Sequence, residues 1–165
     1  MRLALASLAL AALVAMPAVP AHAAVARCHT AALSASLKAG SPGAGQRYAT
    51  LTLRNRSGSS CSVYGYAGLG LRSAAGRALP TKVVRDRSHA PRTIVLKPGR
   101  RTSALLHWGA VPGAGEPTSG PCEPTPRRVA VTPPDERTPL TIAWRLGPVC
   151  EQGRIELTPF GRTTL

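Results

Sequence analysis

The sequence predicts an all-β fold, an immunoglobulin-like sandwich of short antiparallel strands carrying two disulfides. Three observations predict it. Short runs of alternating apolar and polar residues recur at intervals of roughly 8–12 residues, broken by Gly, Pro, Ser and Asn. No stretch of the chain after residue 23 sustains the three-and-four apolar spacing of an amphipathic helix. Four cysteines, an even number, lie behind an N-terminus that has the form of an export signal. A closed barrel is the alternative arrangement of such strands.

Residues 1–23 read as a signal peptide. Arg2 is a short positive region, residues 3–16 are an uncharged stretch of apolar and small residues, and Pro17 and Pro20 precede Ala21-His22-Ala23, an A-x-A cleavage site. Cleavage is expected after Ala23. The apolar run is too short to cross a hydrocarbon core of about 30 Å. A lipid anchor would need small residues just before Cys28, where Arg27 stands instead. No later segment is long and apolar enough to span. The expectation is a secreted or otherwise extracytoplasmic monomer with no transmembrane anchor, folded as one domain over residues 24–165.

Strands are predicted in order over residues 32–37, 49–54, 62–66, 69–73, 77–79, 93–96, 102–108, 128–132, 140–145 and 154–158. The second of these, Ala49-Thr50-Leu51-Thr52-Leu53-Arg54, alternates as a half-buried strand should. Asn55-Arg56-Ser57-Gly58 opens a turn cluster, and Lys97-Pro98-Gly99 marks a tight turn. The Gly- and Pro-rich stretches 109–126 and 133–139 read as surface loops, the latter with a solvated Asp135-Glu136 pair. Aromatics make up only 4% of the chain, so the core must be chiefly aliphatic, with Trp108 and Trp144 as its two large pieces.

Cys28, Cys61, Cys122 and Cys150 are separated by 32, 60 and 27 residues, with no C-x-x-C pair, which disfavours zinc. Three disulfide connectivities exist. The favoured one is Cys28–Cys61 with Cys122–Cys150, whose moderate loops would each contribute about 3–4 kcal/mol in the chain-entropy picture.

A resemblance now rests on residues already quoted and a few more. The motifs are Leu51-Thr52-Leu53-Arg54-Asn55, Cys61-Ser62-Val63-Tyr64-Gly65-Tyr66-Ala67-Gly68, Leu96-Lys97-Pro98-Gly99 and a strand ending at Trp108. Cys122, Val129-Ala130-Val131, Pro133-Pro134, Cys150 and Ile155-Glu156-Leu157-Thr158-Pro159 follow. In this order they resemble a secreted domain-of-unknown-function family, numbered forty-two thirty-two, from high-GC Gram-positive (actinobacterial) bacteria. The likeness covers residues 28–159. It implies an exported, disulfide-stapled β-sandwich and no assigned activity. Ala67 stands where the family usually has Pro, which implies a looser turn.

No catalytic, metal or cofactor residue is assigned. H-E-x-x-H and G-x-S-x-G are absent. Asp86-Arg87-Ser88-His89 holds the residue types of a hydrolase triad in adjacent positions, whereas triads assemble through space. His107 is read as a lone histidine on an exposed strand face. Blue copper would need a thiolate and usually a Met, yet both methionines, Met1 and Met16, precede the cleavage site.

Charge is the remaining signal. The chain carries 21 basic and 7 acidic residues, net +14. Residues 24–95 hold 11 basic residues and one acidic one. An anion-binding surface is therefore placed on Arg47, Arg54, Arg56, Arg72, Arg77, Lys82 and Arg85, directed at an anionic cell-wall polymer or an envelope protein. The competing account is a scattered, solvated surface produced by GC-rich codons. Nucleic acid is not expected, because Tyr48, Tyr64 and Tyr66 are too few for a stacking platform. The function expected is a non-enzymatic binding or structural module. The alternatives are a secreted hydrolase with an unrecognised site, or a secreted protein inhibitor.

Overall fold

The computed structural model describes residues 24–161; the segment expected to be a signal peptide, with its expected cleavage after Ala23, lies outside the described residues. Ten strands are described: β1 (Leu33–Ala39), β2 (Gln46–Asn55), β3 (Cys61–Tyr64), β4 (Gly68–Arg72), β5 (Lys82–Arg85), β6 (Thr93–Leu96), β7 (Arg101–Gly109), β8 (Arg128–Thr132), β9 (Leu140–Ala143) and β10 (Arg154–Leu157). A 3-10 turn, Thr30–Ala32, leads into β1, and a four-residue turn, Cys150–Gly153, leads into β10. The class is all-β.

The strands form a five-stranded sheet of order β1-β2-β7-β10-β5, a pair β3-β6 and a three-stranded sheet β4-β8-β9. Pairing is antiparallel except between β10 and β5, which run parallel. That edge differs from a wholly antiparallel arrangement. Its strand, Lys82-Val83-Val84-Arg85, is also the one the sequence pattern misses. Both valines are half-buried and adjacent, so the period-2 signal is absent. The segment predicted at 77–79 returns along β4 after a turn at residues 74–75 but pairs with it through only an isolated bridge, Arg72 to Ala78.

Alternation explains the long central strands. Ala49, Leu51 and Leu53 of β2 and Ala104, Leu106 and Trp108 of β7 point inward and are fully buried or nearly so. They join Val63 of β3, Leu71 of β4, Leu96 of β6, Val129 and Val131 of β8, and Ile155 and Leu157 of β10 in one cluster. Both tryptophans are core pieces, as predicted. Their rings meet at 5.1 Å and 52°, and each indole N–H donates to a carbonyl, Trp108 to Pro148 and Trp144 to Gly147.

Both disulfides take the favoured connectivity, Cys28–Cys61 and Cys122–Cys150, and no free cysteine remains among the described residues. The first ties the N-terminal segment to β3. The second ties the 110–127 loop to the turn before β10. The Lys97-Pro98-Gly99 turn also forms as predicted: Gly99 has φ +74° and the Arg100 N–H donates to the Lys97 carbonyl at 3.0 Å.

Candidate functional site

The outer face of the five-stranded sheet is polar because the residues that alternate with the buried ones are polar. His107 of β7 lies opposite Tyr48 of β2 and Glu156 of β10. Its ring stacks on Tyr48 at 4.7 Å and 8°, and its two nitrogens meet Gln46 Oε1 at 2.7 Å and Glu156 Oε2 at 3.3 Å. Arg154 closes the row on Glu156 Oε1 at 2.6 Å. The Arg154 hydrogen bond, then that of His107, holds the Glu156 carboxyl below its ordinary value. His107 is thus half-buried and fully engaged rather than alone. The row straps three strands together, and its partners became visible only through strand register.

A cleft of about 550 Å³ lies beside this row, lined in part by Asp86, Ser88 and His89. Ser88 Oγ and His89 Nδ1 are 2.9 Å apart, while Asp86 Oδ1 accepts the Ser88 backbone N–H at 2.8 Å. That bond, followed by the Ser88 side chain, lowers the Asp86 pKa. A triad requires the carboxylate on the imidazole. Here it orders the serine backbone instead, in a short Asx-type turn.

Glu116, Cys122 and Cys150 bring potential ligand atoms within 4.8 Å of one another. Both sulfurs are committed to the disulfide, so they offer no thiolate. Glu116 accepts the Gly113 N–H at 2.7 Å and the Gln152 N–H at 3.0 Å, which clasps the loop to the turn before β10.

Glu136 is a second clasp, not a solvated loop residue. Its side chain is 11% exposed and receives the Thr30 N–H at 2.9 Å, the Thr30 hydroxyl at 3.0 Å and His29 Nδ1 at 3.1 Å, with Arg27 at 3.6 Å. The Thr30 backbone bond leads in depressing its pKa. A carboxyl whose folded pKa is depressed contributes stability above its unfolded value and loses it as the pH falls through the folded one. Glu136→Gln should therefore lower stability at neutral pH and flatten the acid limb below the ordinary glutamate value of 4.5. Denaturant titrations across that range check this.

The seven predicted anion-binding residues do not form one patch. Arg54 and Arg56 lie at the end of β2, Arg72 and Arg77 around β4, and Lys82 and Arg85 on β5. Arg47 sits at the start of β2 opposite Trp108, and Arg85 lies 5.3 Å above the Tyr66 ring. The register adds partners that the first half of the sequence lacks: Arg54 faces Arg101 across β2 and β7, and Arg72 faces Arg128 across β4 and β8. None of these four arginines has an acidic ion-pair partner among the described residues.

Residues 28–161 match the model of a family described as Domain of unknown function (DUF4232). No curated protein and no solved structure matches the chain.

Proposed function

The chain belongs to the DUF4232 family, and from that premise we propose that it is an exported, non-catalytic, immunoglobulin-like module of actinobacterial origin that attaches to anionic polymers of the cell envelope. The single observation that carries this reading is the pairing of like charges. Arginines stand directly opposite one another at two strand pairs, on faces turned away from the core. Such pairs are destabilising in isolation. A bound anion removes the penalty.

The acidic residues do not offset this surface. Of the seven, Asp86, Glu116, Glu136 and Glu156 are each occupied by hydrogen bonds within the fold. Two disulfides suit an oxidising compartment. No helix among the described residues is long and apolar enough to cross a membrane. A secreted hydrolase is the second reading, favoured by Ser88 and His89 in the cleft, but Asp86 is turned to the serine.

Exposed ion pairs contribute about 0–1 kcal/mol each, so retention needs many together. Their reach shrinks as the Debye length falls from about 10 Å at 0.1 M salt to 3 Å at 1 M. Purified cell walls loaded with the protein should hold it at low salt and release it along a salt gradient. Failure to bind at low salt would overturn the reading.

A further inference from the structure

Where residues 158–161 follow β10 along the edge of β7, the 550 Å³ cleft adjoins a second cleft of about 510 Å³. Arg92 and Gly161 line both, so the two clefts adjoin and together make a groove beside the 86–96 segment and β7. Arg92 stands at the junction. Arg100 and Arg101 line the second cleft, and Arg54 faces Arg101 from β2. Three arginines from two stretches of chain therefore line the second cleft, with Arg54 beside them on β2. None has a carboxylate within ion-pair distance among the described residues. Asp86, at the other end, is engaged with Ser88. Leu105 and Pro159 in one cleft, and Ile94 and Leu96 in the other, supply apolar lining.

We propose that this groove is a binding site for a chain of repeating phosphodiester anions, with one phosphate at Arg92 and the next at Arg100 and Arg101. The proposal rests on the envelope-binding reading and gives that reading a site. Guanidinium presents a planar fork of N–H donors that fits two phosphate oxygens at once. An anion that lies within a chain can run from one of these adjoining clefts into the other. A phosphodiester is such an anion, with carbon on both sides for the apolar lining. A carboxylate hangs from a chain as a side group. Two sources share the chemistry, a polyol-phosphate polymer and a layer of phospholipid head groups.

Lys38, Arg137 and Arg145 are exposed and line neither cleft, and they are the internal control. Binding of a synthetic poly(glycerol phosphate) oligomer is measured at low salt for three proteins: wild type, the variant Arg92→Gln/Arg100→Gln/Arg101→Gln, and the control Lys38→Gln/Arg137→Gln/Arg145→Gln. The three groove arginines are exposed, so that variant should melt with the wild type. It should bind about tenfold more weakly or worse, with the control close to wild type. Phosphatidylglycerol vesicles that bind through the same three arginines, while the oligomer does not, would keep the site and assign it to head groups. A groove variant that binds as the wild type does, or a control that loses as much, overturns the groove and leaves envelope binding by diffuse charge standing. Equal affinity for poly-glutamate overturns the phosphodiester assignment. A wild type that binds oligomer, vesicles and walls not at all overturns the envelope reading itself.

Discussion

Asn55→Ala should lower the stability of this protein by about 3–5 kcal/mol, a loss as large as that from deleting a core side chain. Asn55 ends β2 and is fully buried. Its amide Nδ2 donates to the Ser59 carbonyl at 2.7 Å and to the Leu96 carbonyl at 2.9 Å. Its Oδ1 accepts the Ser57 N–H at 2.9 Å and the Ser57 hydroxyl at 2.7 Å. That uses the donor and acceptor capacity of the side chain. The backbone of the same residue exchanges bonds with Arg100 and Gly99. One amide thus holds together the end of β2, the turn before Cys61, the end of β6 and the turn into β7. Each buried group left without its partner costs about 1–3 kcal/mol. At roughly 2–4 °C per kcal/mol for a chain of this size, the melting temperature should fall by about 10 °C.

Asn55→Asp is the stricter test of the same account. It keeps the volume and the two acceptor bonds, but sets an oxygen where the amide donates to two carbonyls. At neutral pH it should be at least as destabilising as Ala. Thermal melts of the two variants decide the matter. If Asp is tolerated better than Ala, the two bonds that Nδ2 donates are not what Asn55 supplies.

In the sequence, Asn55 is indistinguishable from any residue that opens a turn, and the contrast shows what was legible. Local patterns carried through. The alternation of β2 and β7, the Pro-Gly turn at residues 97–100, the two tryptophans and the disulfide pairing are all where the sequence placed them. Each depends on neighbours in the chain, or on the few ways of pairing four cysteines. What was hidden depends on register. The charge count by halves directed attention to basic residues before position 96. The arginines that complete the two like-charge pairs, Arg101 and Arg128, lie beyond it and arrive by strand pairing. Likewise Glu136 is 106 residues from the Thr30 N–H that it binds, and no local pattern announces such a contact. β5 was missed because a short edge strand in a parallel pair, bounded by Lys82 and Arg85, buries neither face well enough to alternate.

That parallel edge is also where the second large effect is expected. Gly153→Ala should cost about 2–5 kcal/mol, from a steric conflict of about 1–3 and a left-handed backbone of about 1–2. Glu151, Gln152 and Gly153 have φ of 55°, 58° and 75°, three successive left-handed residues. Glu116 and the Cys122–Cys150 disulfide hold this turn against the loop. Gly153 is buried directly before β10, where the β5 pairing begins at Lys82 and Arg154. A Cβ there would run into the Pro80 carbonyl group and come within 3.0 Å of the Thr81 nitrogen. These are backbone atoms and cannot swing aside as a side-chain tip does, so relief requires β5 to separate from β10. Gly147→Ala isolates the backbone contribution, since Gly147 has φ +79° with nothing within 4 Å of an added Cβ. It should lose only about 1–2 kcal/mol. Chemical denaturation of the two variants measures the difference, and hydrogen exchange at Lys82–Arg85 should rise in Gly153→Ala alone. If both variants unfold at the same denaturant concentration, the close approach of Gly153 to Pro80 contributes nothing and the β5 edge is held by other means.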